Sequence, residues 1–315
     1  MQIVQAPRAS AILYNILVSK VSDLPWLIPA NICPIVPITF FKARVPFEFV
    51  DISPETLQMD REQAQALIAK RSYGGVLYAH TYGESSTPTD FFAKIKSLDP
   101  ELLILDDRCP CIPDLEPDHN SGADVILYST GYAKIVELNV GGYAFMTDEV
   151  PYQPQQLSFS AQAHDELELA YKESISKNTK FIYRDTDWLE TTSDLPKWSD
   201  YSQQIRNGLK KSMEQRVTLN AIYAANLPVE IQLPNAYQLW RFNILVKNKR
   251  RIYEAIFKAG LFASSHYVSL AGIMSAGRAP QAEALSHEII NLFNDHHFSA
   301  QQARQVSAVI MENIN

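Results

Sequence analysis

Three groups of residues in the first half of the chain combine reactive or phosphate-binding groups with positions directly after apolar runs. Asp106 and Asp107 follow LLIL, residues 129–134 (STGYAK) follow VILY, and Gly141 and Gly142 open the run GGYAFM. In an α/β sheet, ligands bind just beyond the carboxyl ends of parallel strands. The positions therefore predict one site that contains a carboxylate, hydroxyl groups and a lysine amine.

An acidic residue after one strand and a lysine shortly after a neighbouring strand suit pyridoxal phosphate chemistry. A neutral lysine amine forms an imine with the cofactor aldehyde, and desolvated sites favour the neutral amine. A buried carboxylate keeps the pyridine nitrogen protonated, so that the ring accepts electrons from the substrate carbanion. Lys134 and Asp107 can take these two roles. Ser129, and Ser10 at the start of an apolar helical stretch, can supply hydroxyls to the phosphate near a helix N-terminus.

Histidines lie at two other noteworthy places. His80 follows GVLYA at another predicted strand end, where it either lines the cofactor pocket or forms hydrogen bonds within a loop. His296 and His297 are predicted to lie in a surface turn before the last helix.

Cys109 and Cys111 lie close to Asp107 and His119 in the sequence, which raises the question of a metal site. Zinc sites normally use wider CxxC pairs with a second pair elsewhere. We therefore expect two packed thiols and no metal.

The first half alternates β-rich apolar runs with segments of helical period, a pattern typical of βαβ units and a largely parallel sheet. The strands are apolar without strict alternation, which predicts that both of their faces are covered. Predicted strands cover residues 47–51, 75–79, 102–105 and 125–128, and predicted helices cover residues 60–70 and 88–98. Thr87 is predicted to cap the second helix, with Pro88 at its first position.

The second half predicts an α+β layout. A long helix is expected over residues 201–226 and a half-exposed strand over the alternating residues 236–246. Further helices are predicted over residues 249–259, 280–293 and 299–312, whereas residues 151–197 have few periodic cues. The sequence therefore predicts two domains, a large one over residues 1–200 and a small one over residues 201–315.

Composition excludes several classes of protein. The charge of −7, from 28 Lys and Arg against 35 Asp and Glu, argues against nucleic-acid binding. Only 11 glycines are present, and neither GxGxxG nor GxxxxGK[ST] occurs, which excludes the usual dinucleotide and P-loop motifs. No apolar run approaches the length of about 18 residues that a membrane span needs. With three cysteines, a cytoplasmic protein is expected.

Several segments, in order, resemble the DegT/DnrJ/EryC1/StrS family of fold-type I pyridoxal phosphate (PLP) aminotransferases. They are PANICPIVPITFFKARVPFEFVDI, VLYAHTYGESSTPTDF, ILDDRCP, ADVILYSTGYAK and NVGGYAFMTD, followed by RIYEAIFKAGLFASSHYVSL and INLFNDHHFSAQQARQVSAVI in the small domain. The resemblance covers the chain from about Ala6 to its end. It implies an α/β fold with a mostly parallel sheet flanked by helices, and a smaller C-terminal α+β domain. It also implies Lys134 as the Schiff-base lysine, Asp107 as the pyridinium partner and Ser129 as a phosphate ligand.

The same resemblance implies a function. Family members transfer an amino group, with glutamate as a donor, to a keto-sugar that is commonly linked to a nucleotide. They work as homodimers with active sites at the subunit boundary, so a homodimer is expected here, in the biosynthesis of a surface glycan or a glycosylated metabolite. Two alternatives remain: a divergent homologue without transaminase activity that serves in binding or assembly, and a PLP enzyme of another reaction type.

The chain departs from the family pattern at four places. Residues 8–10 (RAS) stand where Ser-Gly-Thr is usual, so the hydroxyl of Ser10 remains but the glycine does not. Pro110 stands where a glutamine is usual and can donate no hydrogen bond. The Asn-x-Arg segment that reaches the partner's cofactor is not found in residues 191–197 (TTSDLPK), and the expected N-terminal arm does not precede the first phosphate-binding helix. These departures motivate the alternative without transamination.

Overall fold

A computed structural model describes residues 1–314 of the chain. The strands in that range are β1 (Gln2–Ala6), β2 (Trp26–Pro29), β3 (Phe47–Val50), β4 (Gly75–Ala79), β5 (Leu103–Asp107), β6 (Val125–Ser129), β7 (Gly142–Met146), β8 (Phe242–Leu245) and β9 (Ile289–Leu292). The α-helices are α1 (Ala9–Ser19), α2 (Ile35–Ala43), α3 (Arg61–Ile68), α4 (Thr89–Leu98), α5 (Ala161–Lys177), α6 (Trp198–Asn226), α7 (Lys249–Lys258), α8 (Pro280–Glu288) and α9 (Ala300–Asn313).

Seven of the described strands form one sheet in the order β1-β7-β6-β5-β4-β2-β3. Strands β2 to β6 pair in parallel. Within the described part of this sheet, only β7 runs antiparallel to both of its neighbours. The predicted α/β fold with a mostly parallel sheet is confirmed. Because β4, β5 and β6 are parallel neighbours, their carboxyl ends meet at one edge, where such sheets bind ligands.

Both faces of this sheet are covered, as the continuous apolar strands predicted. Side chains alternate between the faces, so that Leu105 packs in one core with α1 and α5, and Ile104 packs in another with α3 and α4. Each fully buried Leu or Ile stabilises the fold by about 1.5–3 kcal/mol. The two cores therefore fix the position of the strand ends that carry polar residues.

Strand β5 is longer than predicted and changes the meaning of the double aspartate. Asp106 and Asp107 pair with Tyr78 and Ala79 of β4 and belong to the strand itself. Successive residues of a strand point to opposite faces. The two carboxylates therefore lie on opposite sides of the sheet, although they are adjacent in the sequence.

The start of α4 differs by one residue from the prediction. Pro88 is the N-cap and Thr89 the first helical residue, and no side chain caps the helix through a hydrogen bond. Thr87 instead accepts a hydrogen bond from the guanidinium of Arg108, which takes its hydroxyl away from the helix. The predicted cap at Thr87 is therefore wrong.

Two predictions in the second half are also wrong in part. The strand predicted over residues 236–246 is limited to β8, because the side chain of Gln238 donates to the carbonyls of Leu233 and Asn243 and folds the preceding residues into a turn. The helix predicted over residues 280–293 ends at Glu288, and its β-branched remainder forms β9, which pairs with β8. A buried hydrogen bond of 2.7 Å between the side chains of Asn291 and Asn243 fixes this pairing.

Helix α6 connects the large sheet with the second half. Near its start, the hydroxyl of Tyr201 lies 2.6 Å from that of Thr130, after β6. Farther along, Leu219 and Tyr223 pack in the core that contains β8 and β9. Among the described residues, no helix is both long enough and apolar enough to cross a bilayer.

Candidate active site

Four of the predicted site residues line one cavity of about 230 Å³: Lys134, Asp107, Ser129 and Ser10. They come from different elements, namely the loop after β6, the end of β5, the end of β6 and the first turn of α1. The fold thus brings together residues that are up to 124 positions apart in the sequence. The cavity lies where the carboxyl ends of β5 and β6 meet the N-terminus of α1.

Asp107 is the buried carboxylate of this cavity. Its side chain accepts a hydrogen bond of 3.0 Å from the backbone N–H of Cys109, and the residue is 6% exposed. Within residues 1–314, no lysine, arginine or histidine forms an ion pair with it. A buried carboxylate without a cationic partner is suited to hold a cationic group of a ligand.

Lys134 is half-buried in a loop whose backbone is firmly held. The indole N–H of Trp240 donates to the carbonyl of Ala133 at 2.8 Å, and the guanidinium of Arg216 donates to the carbonyl of Lys134 at 3.3 Å. Ala133 has a φ of 58°, in the left-handed region. These contacts hold the loop through its main chain and leave the side chain of Lys134 on the cavity wall.

The surroundings of the cavity raise the pKa values of two thiols, those of Cys33 and Cys109. Desolvation raises the pKa of the Cys109 thiol well above its usual range, the carboxylate of Asp107 adds to this rise, and Lys134 opposes it. Desolvation also raises the pKa of Cys33, again opposed by Lys134. Both thiols are therefore protonated at neutral pH. Both thiols line the same cavity as Lys134 and Asp107.

The cysteines next to Asp107 take separate positions. All three cysteines of the chain are free, and Cys109 lines the cavity. Cys111 is buried outside the cavity, with its sulfur 3.6 Å from the carbonyl oxygen of Glu84.

The N-terminus of α1 forms another wall of the cavity. Helix α1 begins at Ala9, and the side chain of its N-cap, Arg8, makes no capping hydrogen bond. The first N–H groups of a helix have no partner within the helix, and they attract anions. Ala9 and Ser10 both line the cavity, so this uncapped end faces it. The missing glycine before Ser10 is compatible with the helix, since Ala9 occupies its first position.

Gly142 allows this helix to approach the sheet. A Cβ atom on Gly142 would lie 2.5 Å from the backbone nitrogen of Ala9, which is closer than atoms can pack. Gly141, with a φ of 96°, donates from its N–H to the carbonyl of Pro7 at 2.6 Å. The two glycines therefore hold the start of α1 against the end of the sheet.

The cavity is also lined by residues that were not predicted as site residues, among them Arg8, His164, Trp188 and Leu189. Arg8 was visible as the replacement in RAS, and its Nε lies 3.2 Å from a carboxylate oxygen of Glu190. The other three belong to residues 151–197, where the sequence gave few cues. That segment covers the cavity through α5 and a buried extended stretch.

The structure places His80 outside the lining of this cavity. The ring is fully buried, with Nε2 2.7 Å from a carboxylate oxygen of Asp106 and Nδ1 2.6 Å from the carbonyl oxygen of Glu84. These contacts agree with the second alternative given for His80, a histidine that forms hydrogen bonds within a loop. His80 lies outside the cavity because its partner is Asp106. Side chains alternate along β5, so Asp106 points to the face of the sheet opposite Asp107.

Asp106 belongs to a closed buried network. Besides His80, it binds Arg108, whose Nε donates to its other oxygen at 2.7 Å. Burial alone would raise the pKa of Asp106, but the charges and hydrogen bonds of His80 and Arg108 outweigh burial and lower the pKa below its ordinary value. This carboxylate is therefore ionised and fully engaged by protein groups.

Solved structures with the same architecture cover nearly the whole chain. A DegT/DnrJ/EryC1/StrS aminotransferase from Brucella abortus matches 100% of this chain and 86% of its own, with 16% identity and a TM-score of 0.70. The chain has the fold of the DegT/DnrJ/EryC1/StrS aminotransferases. PseC of Helicobacter pylori matches 100% of this chain and 87% of its own, with 13% identity and a TM-score of 0.69.

Other structures with this aminotransferase fold were solved with ligands. DesI, solved in the presence of its TDP-sugar product, matches 98% of this chain and 80% of its own, with 13% identity and a TM-score of 0.72. No protein-family description matches the sequence, and no curated protein matches it either. The similarity is therefore one of fold, and the proposed function depends on the residues of the cavity.

Proposed function

We propose that the chain is a PLP-dependent aminotransferase that acts on a keto-sugar. The observation that carries this proposal is the meeting of Lys134, the unpaired carboxylate of Asp107 and the uncapped N-terminus of α1 in one cavity. A structure of similar fold, a putative sugar aminotransferase from Streptococcus pneumoniae, is described in a PLP form and a PMP form. PseC is described as an aminotransferase in the biosynthesis of pseudoaminic acid, and DesI was solved in the presence of its TDP-sugar product.

The cavity residues fit this cofactor from end to end. Lys134 would bind it covalently through Nζ, and Asp107 would pair with its pyridinium nitrogen. Ser10, Ser129 and the first N–H groups of α1 would hold the phosphate. Arg8, on the same wall, would add a positive charge to that phosphate site. When bound, the cofactor supplies an electron sink for a carbanion at the substrate carbon.

Each side chain then has a specific task. Once the amino donor has displaced Lys134 from the cofactor, the freed Nζ would take the proton from Cα of the donor and, in the second half-reaction, would give a proton to the acceptor carbon. The carboxylate of Asp107 would hold a proton on the pyridine nitrogen. The thiols of Cys33 and Cys109 stay protonated, so they line the cavity without competing as nucleophiles.

The finer parts of the proposal concern substrate and assembly. His164, Trp188 and Leu189 belong to the covering segment and would contact the sugar. As the family resemblance of the sequence implies, the protein would work in the cytoplasm as a homodimer, with glutamate as the donor and a nucleotide-linked acceptor. Its large and small domains would meet near residue 200. The product would enter a surface glycan or a glycosylated metabolite.

One observation supports the alternative of a PLP enzyme with another reaction type. The structure of 3-amino-5-hydroxybenzoic acid synthase matches 99% of this chain with a TM-score of 0.66 and 14% identity, and its name refers to an aromatic product. The fold therefore serves products that are not sugars, and the acceptor must be tested directly.

A covalent-labelling experiment tests the cofactor assignment. Pyridoxal phosphate is added to the purified protein, the mixture is reduced with borohydride, and tryptic peptides are analysed by mass spectrometry. We expect a phosphopyridoxyl adduct on the peptide that contains Lys134, with its loss in Lys134→Ala and its retention in Lys210→Ala, which removes an exposed lysine. An unmodified Lys134 would support the non-enzymatic alternative.

The reaction type is tested with the unreduced protein. Added glutamate should convert the bound PLP spectrum to the PMP spectrum and release 2-oxoglutarate. A panel of nucleotide-linked keto-sugars should then restore the PLP spectrum. Labelling of Lys134 without conversion by any amino donor would favour a PLP enzyme of another reaction type.

A further inference from the structure

A second group of ligating side chains lies outside the cavity, on the other side of the Lys134 loop. Glu137, His296 and His297 each offer one ligand atom, and these atoms all lie within 4.8 Å of one another. The Nε2 atom of His297 lies 3.1 Å and 3.3 Å from the two carboxylate oxygens of Glu137. Two imidazoles and a carboxylate form a donor set that suits transition metals.

Glu137 is the buried member of the group. Its side chain is 7% exposed, and one oxygen accepts a hydrogen bond of 2.9 Å from the N–H of Ala133. In the described part of the chain, His297 is the one side chain that forms an ion pair with it. A buried carboxylate is costly unless a cation or several hydrogen bonds compensate it. The charge of Glu137 also acts on the guanidinium of Arg216, and a bound cation would add a second compensating charge.

The two histidines are held next to this carboxylate by their loop. Asp295, directly before them, forms a buried ion pair with Arg241 and accepts from the N–H of His297 at 3.1 Å. Phe298, directly after them, is buried, and its carbonyl accepts from Gln215 at 2.9 Å. The two imidazole rings have centroids 3.9 Å apart. The loop therefore presents both rings on one side before any ion binds.

We propose that Glu137, His296 and His297 bind a divalent transition metal ion of the Zn²⁺ type. Ligands at about 2.0–2.2 Å in a tetrahedral zinc site lie about 3.3 Å from one another. The separations between Glu137 and His297 already match that value. Glu137 and His296 also line an open cavity, which gives the ion a path and leaves a coordination position for water.

This ion would connect two parts of the chain that the proposed reaction needs in a fixed relation. Glu137 lies three residues after Lys134 and accepts from Ala133, while the histidines lie between β9 and α9. The bound ion would therefore clamp the lysine loop to the C-terminal region. Its role is structural, and its binding can be measured without cofactor or substrate.

The test uses the full chain after dialysis against a chelator. Zn²⁺ is titrated by calorimetry into the wild type, into His296→Ala/His297→Ala and into Glu137→Gln, which keeps an acceptor for the N–H of Ala133. We expect one high-affinity site in the wild type and an affinity at least about tenfold weaker in both variants. A matched control, His119→Ala/His287→Ala, removes two exposed histidines elsewhere and should bind like the wild type.

Thermal unfolding gives a second readout. An ion that binds only the folded chain at about 100 times its Kd should raise the Tm of the wild type and of the control by several degrees. The double histidine variant should show no such rise. Both histidines are exposed, so this variant should fold even if Glu137→Gln does not.

Two results would overturn the proposal. One is wild-type affinity in the double histidine variant. The other is loss of the high-affinity site in His164→Ala, since His164, Asp165 and Glu168, all on α5, form the other group of possible ligands among the described residues.

Discussion

The two aspartates at the end of β5 have opposite surroundings, although they are adjacent in the sequence. Asp106 is fully buried between His80 and Arg108, and both of its oxygens are engaged at 2.7 Å. Asp107 faces the cavity with Lys134, and its carboxylate accepts a hydrogen bond from the backbone N–H of Cys109. One carboxylate is thus neutralised by the protein, whereas the other is left for a ligand.

This contrast shows that the two faces of the sheet at the end of one strand can serve different purposes, one stabilising the fold and the other binding a ligand. The alternation of a strand sends neighbouring side chains to opposite faces of the sheet. On one face, β4 supplies a histidine that completes a closed network. On the other face, the start of α1 leaves an open cavity. The same residue type can therefore support the fold at one position and bind a cofactor at the next.

The largest expected effect comes from breaking the closed network. Asp106→Asn leaves the buried guanidinium of Arg108 without its carboxylate and removes the acceptor next to the buried ring of His80. We expect the free energy of unfolding to fall by about 3–5 kcal/mol, the usual cost of removing one partner of a buried ion pair. Urea denaturation followed by circular dichroism measures this change. Asp107→Asn is the matched control and should stay within about 1 kcal/mol of the wild type, because asparagine keeps an acceptor for Cys109.

Equal destabilisation by the two asparagine variants would contradict the distinction between the two faces. It would mean that Asp107 also has a structural partner in solution. The comparison therefore depends on the difference between the variants rather than on either value alone.

The next largest effect is expected in the reaction. Asp107→Asn removes the negative charge that would hold the pyridinium proton, so kcat/KM for the amino-donor half-reaction should fall about 10²–10³-fold. Stopped-flow absorbance of the PLP-to-PMP conversion measures it. A nearly unchanged rate in Asp107→Asn, with bound cofactor, would remove Asp107 from the proposed mechanism.

The sequence predicted the sheet and most of the cavity because both depend on local patterns. Apolar runs located β4 and β6 within one residue, and the polar residues after such runs supplied Asp107, Ser129 and Lys134. Resemblance to the family added the order of these segments. The roles of these residues remain predictions, whereas their shared position is a property of the fold.

The remaining features depend on contacts that are distant in the sequence. Arg8 reaches the cavity beside Glu190, 182 positions away, and no periodic pattern reports such a pair. The position of His80 depends on which face of β5 Asp106 occupies, which requires the register between strands. Strand β9 was predicted as helix because its apolar residues continue the pattern of α8, and only the pairing with β8 decides between the two.

A smaller effect is expected at the phosphate end of the cavity. Arg8→Gln removes a positive charge next to the uncapped start of α1, and the dissociation constant of pyridoxal phosphate should rise about tenfold, the value of one charge-assisted hydrogen bond. Fluorescence titration measures it. Binding of pyridoxal, which has no phosphate, should not change, and Arg206→Gln, an exposed arginine on α6, serves as the matched control. An equal loss for both ligands would show that Arg8 acts on the cavity generally.

The smallest effect near neutral pH is expected from pH itself, and its sign follows from the lowered pKa of Asp106. A carboxyl group whose pKa is lowered by folding stabilises the protein above its unfolded pKa, here 3.8, and this contribution is lost as the pH falls through the lower folded value. The stability gap between the wild type and Asp106→Asn should therefore stay constant from neutral pH down to about pH 5. Below about pH 3.8 it should narrow, because protonation of Asp106 in the wild type removes the same charge that the asparagine lacks. Urea denaturation at a series of pH values measures the gap. A gap that already closes near neutral pH would show that the carboxylate is not held ionised by His80 and Arg108.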